Sequence, residues 1–499
     1  MADQRLLAAV DLGSNSFRLL IGRVEGTALG AQIRPLDSLK ESVRLAAGLD
    51  DDGMLDAASQ RRATEALNRF GERLRSFKPD AVRAVATNTL RVARNGKRFQ
   101  VTAEAALGFP IEVISGHEEA RLIHLGAAHA LPNDGQPRLV VDIGGGSTEC
   151  IIGRDYEPLM LESVATGCVS LSARYFNDGS IDRRRFDHAV LSARAAFAPI
   201  ARAFHAHGWS YAVGTSGTAK ALCQYAELNL GEDRLSREAL TQLAEALIKA
   251  GHIDRLRIEG LKPDRRPVLA GGLAVMTALF DELGVQALRY CNGALRQGVL
   301  YDVLGRSEGV DMREVTVTRM AQRYGTELAH GERVARSAQA LFGQAARASN
   351  EELAQRSRLL AWTARLAEIG MSLSHEDFHK HSAYMLMHAD MPGFSQPEQT
   401  LMAHLALAQT GGLRKLRPLL GDPLDWLMAL SLRLAAILHR HRDDEEVVVP
   451  ALFLKRNRLR IEVPKVWAQA HPLSHDSLQA EAQLWSEIDV FEEFVYQTL

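Results

Sequence analysis

The hydrophobic pattern of this chain changes style part-way along its length. Up to about residue 310, short apolar runs of strand length alternate with stretches of helical period, and beyond it the helical period dominates. Leu6 to Val10 and Phe17 to Val24 read as strands, Met54 to Phe77 as an amphipathic helix, and Ala81 to Ala86 and Ile111 to Ile114 as further strands. The pattern then begins again. Leu139 to Val141 and Cys150 to Ile152 are strand-like, Arg183 to His207 is helical, Tyr211 to Val213 is a short strand, and Ala219 to Leu228 is a helix. From about Asp311 to Arg442, Ala-, Leu- and Arg-rich helical patterns take over and strand signals nearly vanish. Val447 to Leu454 and Leu459 to Val463 then predict a hairpin with a basic tip at Lys455-Arg456-Asn457, and the tail from Ser474 reads as helix.

Both halves of the first region open in the same way. An apolar run ends in an aspartate, small residues follow, and a second apolar run starts. The first copy is Asp11-Leu12-Gly13-Ser14-Asn15-Ser16 and the second is Asp142-Ile143-Gly144-Gly145-Gly146-Ser147-Thr148. Strand, tight turn, strand is the expected local structure. The aspartates are 142 − 11 = 131 residues apart, one α/β domain, so a tandem duplication with a cleft between its halves is predicted. In such turns glycines permit positive φ, backbone N–H groups meet an anion, and an aspartate holds a cation or a water beside it. One such turn is usually only a turn; two copies favour a pair of phosphate grips. Neither copy runs directly into a helix, as a dinucleotide fingerprint requires, and neither offers the Gly-Lys-Ser/Thr of a P-loop.

Composition narrows the class. A chain of 499 residues is too long for one core, and three or four domains are expected. The 59 basic residues against 61 acidic ones give no global electrostatic case for nucleic acid or a membrane surface, so any anion site must be local. Cys150, Cys168, Cys223 and Cys291 are scattered without CxxC spacing, which argues against a disulfide framework and a zinc site and fits a reducing cytoplasm. No signal-peptide pattern opens the chain and no apolar run approaches transmembrane length, so a soluble cytoplasmic protein is expected.

Three further segments carry candidate chemistry. In Ser115-Gly116-His117-Glu118-Glu119-Ala120-Arg121 a strand ends and a helix begins with a capping box, in which Glu118 folds back onto the Ser115 N–H. Glu119 is then the freer carboxylate, either a solvated first-turn residue favoured by the helix dipole or a functional one. Thr87-Asn88-Thr89-Leu90-Arg91 follows a strand, which puts Arg91 just inside a helix, either as a surface residue or facing an anion. Gly214-Thr215-Ser216-Gly217-Thr218 joins a strand to a helix, either as an ordinary turn or as an anion site of helix N–H groups. Arg183-Arg184-Arg185 and Lys455-Arg456-Asn457-Arg458 read as solvated basic faces. His330, His375, His379, His381 and His388 have no recognised ligand spacing and read as partly exposed helix histidines.

Taken in order, VDLGSNSFRLLIG, ATNTLR, ISGHEEARLI, VVDIGGGSTE, GTSGT and NGALRQGVLYD resemble the exopolyphosphatase and guanosine pentaphosphate phosphatase family of the actin, sugar-kinase and Hsp70 superfamily. The likeness is tight over about residues 5 to 305, and the remainder resembles the helical extension of long bacterial exopolyphosphatases. It implies an α/β fold: two tandem ribonuclease-H-like (actin-like ATPase) domains, then an all-α HD-like domain and a small C-terminal α+β domain. The implied boundaries are 1–125, 126–310, 311–445 and 446–499.

By the same resemblance, Glu119 is the catalytic carboxylate. Asp11, Gly13, Ser14, Asn15 and Ser16 form the first phosphate loop, and Gly144, Gly145, Gly146, Ser147 and Thr148 the second. Arg91 grips phosphate, Gly214, Ser216, Gly217 and Thr218 complete the pocket, and Asp142 and Glu149 hold Mg²⁺. HD enzymes carry a His-Asp metal pair where this chain has Ala367-Glu368, so its helical domain is expected to bind substrate or build a dimer rather than to hydrolyse. His379-Lys380-His381-Ser382-Ala383-Tyr384 resembles the HSAY segment of the long enzymes and is a weaker candidate to face a polyanion.

The activity implied is Mg²⁺-dependent release of terminal orthophosphate from inorganic polyphosphate by a cytoplasmic homodimer. The sister reaction, guanosine pentaphosphate to tetraphosphate in the stringent response, uses the same motifs. A kinase, for which Ala270-Gly271-Gly272 superficially resembles a nucleotide-base loop, and a non-catalytic polyphosphate or alarmone sensor are the more distant alternatives. No nucleic-acid partner and no integral membrane segment are expected.

Overall fold

The duplicated pattern folds as two copies of one sheet. The computed structural model describes residues 5–25, 32–50, 52–132, 134–307, 312–389, 391, 394, 396–442 and 447–499, which fall into two compact units, Met1–Asp311 and Met312–Leu499. In the first unit β1 (Leu6–Leu12) and β2 (Phe17–Glu25) form the predicted hairpin. β3 (Gln32–Glu41) extends it on one side, and β4 (Val82–Ala86) and β5 (Ile111–Val113) add in parallel on the other, in the order β3-β2-β1-β4-β5. The second sheet comprises β6 (Pro137–Ile143), β7 (Thr148–Arg154), β8 (Glu157–Val164), β9 (Tyr211–Thr215), β10 (Leu235–Ser236) and β11 (Ala287–Tyr290). Its order β8-β7-β6-β9-β11 repeats the first, with β10 added at the edge.

Register repeats as well as order. Leu12 pairs with Phe17 and Ile143 with Thr148 across the two turns. A bulge falls between Ile21 and Gly22 in one copy and between Ile152 and Gly153 in the other, at the same distance from Asp11 and Asp142. Strand alternation then decides where the aspartates point. Ala8, Val10 and Leu12 pack on Leu67 and Phe70, whereas Leu7 and Ala9 share a core with Val140, Ile151 and Val213 of the second sheet. Asp11 continues the Leu7–Ala9 face and Asp142 the Val140 face, so both stand at the mouth of the space between the sheets.

The helices of this unit are α1 (Ala57–Leu74), α2 (Asn88–Val92), α3 (Gly96–Leu107), α4 (Gly116–Ala130), α5 (Cys168–Tyr175), α6 (Arg183–His207), α7 (Ser216–Tyr225), α8 (Arg237–Ala250), α9 (Arg266–Leu283) and α10 (Leu295–Ser307). α6 has the predicted limits, with Asp182 capping it by accepting from the Arg185 N–H at 2.8 Å. Ala270-Gly271-Gly272 is buried inside α9 and is not a loop, because Gly271 must let the helix approach the Cys168 carbonyl. Two helices exchange sheets: α4 follows the first sheet but packs on β7 and β8, and α10 follows the second but packs on β1. They cross with no side chain between them. A Cβ on Gly298 would lie 1.7 Å from the Leu122 carbonyl oxygen, and one on Gly126 would lie 2.1 Å from that of Ala294. The predicted division at residue 125 therefore falls inside α4, and those at 310/311 and 445/446 lie outside the described residues.

The second unit opens with α11 (Met312–Arg323), α12 (Leu328–Ala345), α13 (Asn350–Leu366), α14 (Phe378–His388), α15 (Gln396–Ala408) and α16 (Pro423–Leu438). The late hairpin is β12 (Ala451–Lys455) and β13 (Arg458–Val463), with Arg456 and Asn457 both at positive φ in the tip. α17 (Lys465–Ala470) and α18 (Pro472–Ser486) follow. The tail is not helical throughout: β14 (Glu493–Thr498) pairs in parallel with β13, because Phe494 stacks on Trp485 and anchors a strand there. The sheet shares one core with the helices, Leu452 and Ile461 lying in it with Leu430 and Trp485. Where HD enzymes carry their metal pair, Glu368 accepts from Arg442 Nη2 at 2.7 Å and has His330 Nε2 at 3.6 Å, so a guanidinium faces that acid. His330 and His379, expected to be partly exposed, are buried. The four cysteines are free thiols, and no helix among the described residues is long and apolar enough to cross a membrane.

Gly298→Ala should lower stability by about 1–3 kcal/mol through forced separation of α4 and α10. Gly343→Ala, on α12 where a Cβ meets nothing within 4 Å, should be neutral or slightly stabilising. Chemical denaturation of both variants checks the contrast.

Candidate active site between the two sheets

The turns at residues 13–16 and 144–147 face each other across the cleft. Gly144 N–H donates to the Ser147 carbonyl at 2.9 Å, which closes the second turn. The glycines are not there for positive φ, as the sequence suggested: none of Gly13, Gly144, Gly145 and Gly146 is left-handed. They permit close approach instead. A Cβ on Gly145 would stand 2.9 Å from Ser14 Cβ, and one on Gly146 would stand 2.1 Å from Asn88 Nδ2. The left-handed residue of the site is Ser216, at φ 68, whose hydroxyl donates to the Ile143 carbonyl at 3.1 Å.

The fourth wall is the start of α4. Ser115 caps it by accepting from the Glu118 N–H at 3.1 Å. The Glu118 carboxylate, expected to complete a capping box, is taken up by arginines. It accepts from Arg121 Nε at 2.7 Å and from Arg83 Nη2 at 3.4 Å, and Asp302 of α10 binds the same two guanidiniums, Arg83 at 2.8 Å and Arg121 at 2.5 Å. All four side chains are at least nine-tenths buried. One residue on, and so about 100° around the helix, Glu119 faces the cleft. Its Oε2 is buried without a hydrogen bond, and Arg91 Nη1 stands 3.5 Å away in ion-pair range while donating to the Ile114 carbonyl at 2.8 Å.

Carboxylates crowd here. Burial raises Glu119 well above its ordinary range, and Glu149, Asp11 and Asp142 add to the effect against Arg91. Glu149 is pushed up to about 7, by burial first and then by Asp142, although Ser163 donates to it at 2.9 Å. Asp142, which accepts from Thr215 Oγ1 at 2.7 Å, and Asp11 are also raised by burial. Burial thus opposes the ionisation of all four acids that crowd this space.

Of the predicted site, the cleft is lined by Asp11, Gly13, Ser14, Asn15 and Ser16, by Glu119 and Asp142, by Gly144, Gly145 and Ser147, and by Ser216 and Gly217. The other positions stand behind this lining. Thr148 donates to the Thr166 carbonyl at 2.7 Å, Thr218 Oγ1 lies 3.4 Å from that of Ile143, and Gly146 backs onto Asn88. Gly214 lies under Ala219 and Leu288, Glu149 is buried beside Asp142 on the next strand, and Arg91 reaches the cleft only through Glu119.

A model described as the Ppx/GppA phosphatase family matches residues 23–307, more than half of the chain. The chain belongs to the Ppx/GppA phosphatase family. It is a hydrolase acting on phosphoanhydride bonds. Domain III of the same Ppx/GppA phosphatases matches residues 312–482. An exopolyphosphatase-like protein of known structure is 26% identical, covers 60% of this chain and 99% of its own length, and superposes with a TM-score of 0.53. An exopolyphosphatase from Cytophaga hutchinsonii, 24% identical, covers 61% of this chain and 98% of its own, and shares the fold at a TM-score of 0.54.

Three arginines that this Ppx/GppA chain brings to the cleft were missed in its sequence: Arg18, Arg265 and Arg296. Arg296 lay inside the NGALRQG segment, and Arg18 directly follows the first loop. Their placement divides the labour between the copies. In the first sheet Asp11 pairs with Arg18, and Arg18 with Lys40. At the equivalent row of the second, Asp142 pairs with Glu149, and Glu149 with Ser163. One hairpin sets a cation beside its aspartate and the other sets an acid there.

Glu149 titrates high in the fold, so its ionisation costs stability as pH rises from its ordinary value near 4.5 through about 7. Metal-free Glu149→Gln should therefore melt above the parent beyond about pH 7, and the two should converge below about pH 4.5. Thermal melts across that range test the sign.

Proposed function

We propose that the cleft hydrolyses the terminal phosphoanhydride bond of inorganic polyphosphate and releases orthophosphate. The carrying observation is Glu119 Oε2, a buried carboxylate oxygen without a hydrogen bond at the start of a helix, between two turns that expose small residues and hydroxyls. A water held by this oxygen is oriented for attack on the end phosphorus, and the carboxylate is placed to take its proton. Phosphoryl transfer is mostly positioning and charge neutralisation. The turn N–H groups, the Ser14, Ser16, Ser147 and Ser216 hydroxyls, and Arg18, Arg265 and Arg296 supply it here.

Mg²⁺ fits the acids present. Asp142 and Glu149 are cross-strand neighbours, and Asp142 adds to the burial that opposes ionisation of Glu149. Mg²⁺ keeps several waters and needs only one or two carboxylates beside substrate oxygens. When bound, the ion neutralises charge on the phosphoryl oxygens.

The name of the 26% identical relative favours the inorganic chain over guanosine pentaphosphate as the substrate. Orthophosphate release from both, measured side by side with Mg²⁺, should favour long polyphosphate; preference for the pentaphosphate would overturn that choice. Glu119→Gln should keep the fold and lower kcat by about two to four orders of magnitude. Chelation should stop release and added Mg²⁺ restore it.

A further inference from the structure

The two halves of the first unit meet once more at the rim of the cleft. Lys40, on the edge strand β3, forms an ion pair with Asp264, in the turn Pro263–Arg265 that leads into α9. Both side chains are about one-third exposed, at 35% and 34%. Ion pairs so exposed are ordinarily worth little. This one differs in what stands beside each partner. Lys40 is the cross-strand neighbour of Arg18, which lines the cleft from the first half. Asp264 directly precedes Arg265, which lines it from the second half and lies close against Gly217, where a Cβ would be 1.9 Å from its Nη2. The bridge thus joins the backbone segments that carry two cleft arginines on opposite walls. The hydrogen bond from Lys40 holds the Asp264 carboxyl below its usual range.

We infer that Lys40 and Asp264 form a latch across the cleft mouth, fixing the separation of Arg18 and Arg265 and so the affinity for a phosphoanhydride anion. Both are positioning residues, and the inference rests on the cleft being the active site. Charge alone makes the opposite forecast. An acid at the rim of an anion site repels the substrate, so its removal should tighten binding, whereas loss of a latch weakens it whichever partner is removed.

The test compares Lys40→Met, Asp264→Asn, the double variant and the reversed pair Lys40→Asp/Asp264→Lys. KM and kcat for polyphosphate are measured at fixed Mg²⁺, with thermal melts to show that each variant folds. Each single variant should raise KM by about 2–5-fold with kcat nearly unchanged, the double should be no worse than either single, and the reversed pair should recover most of the loss. Arg69→Met, which removes an exposed pair with Glu41 inside the first half, should leave KM unchanged. A lower KM for Asp264→Asn, additive single effects, or no recovery in the reversed pair would overturn the latch and leave the cleft reading intact. Normal turnover in Glu119→Gln would instead overturn the cleft reading itself.

Discussion

Two arginines and two acids, all at least nine-tenths buried, hold the first unit together. Arg83 comes from β4, Glu118 and Arg121 from α4, and Asp302 from α10, with Glu112 of β5 accepting from Arg83 at 2.8 Å at the edge of the cluster. Burying such charges is costly, and it is tolerated only where nearly every donor and acceptor is matched. The matching requires both exchanged helices to be seated at once, since Asp302 binds the same guanidiniums as Glu118. It also fixes the rotation of α4 about its own axis. With Glu118 drawn inward, its neighbour has no direction left but the cleft, so the placement of Glu119 is a by-product of an ion cluster that never touches substrate.

Duplication supplied two equal turns, and the residues beside them made the turns unequal. Arg18 stands where the second copy has Glu149. The first hairpin therefore sets a positive charge beside its aspartate, and the second sets another carboxyl there.

Much of this was legible in the residues. The two hairpins and the limits of α6 follow from local periodicity and capping chemistry, which act over a few positions. β3 was not legible, because Gln32–Glu41 is an edge strand whose polar side chains carry no apolar alternation, and β14 was missed because a short terminal run becomes a strand only through Phe494 on Trp485. Arg18, Arg265 and Arg296 are ordinary arginines until three distant segments converge. The turn glycines serve close approach rather than positive φ, and that need depends on what lies across the cleft and not on the turn itself. The fate of Glu118 was hidden for the same reason: its partner Arg83 is 35 residues away in sequence, and Asp302, which binds the same guanidinium, is 184 away.

The crossing of α4 and α10 also limits how the molecule can move. Where Gly126, Gly293 and Gly298 bring backbone against backbone, no rotamer change can widen the gap and no side chain can slide to fill one. The separation of α4 and α10 is therefore set by backbone atoms alone and passes unchanged through any rearrangement of the side chains around it.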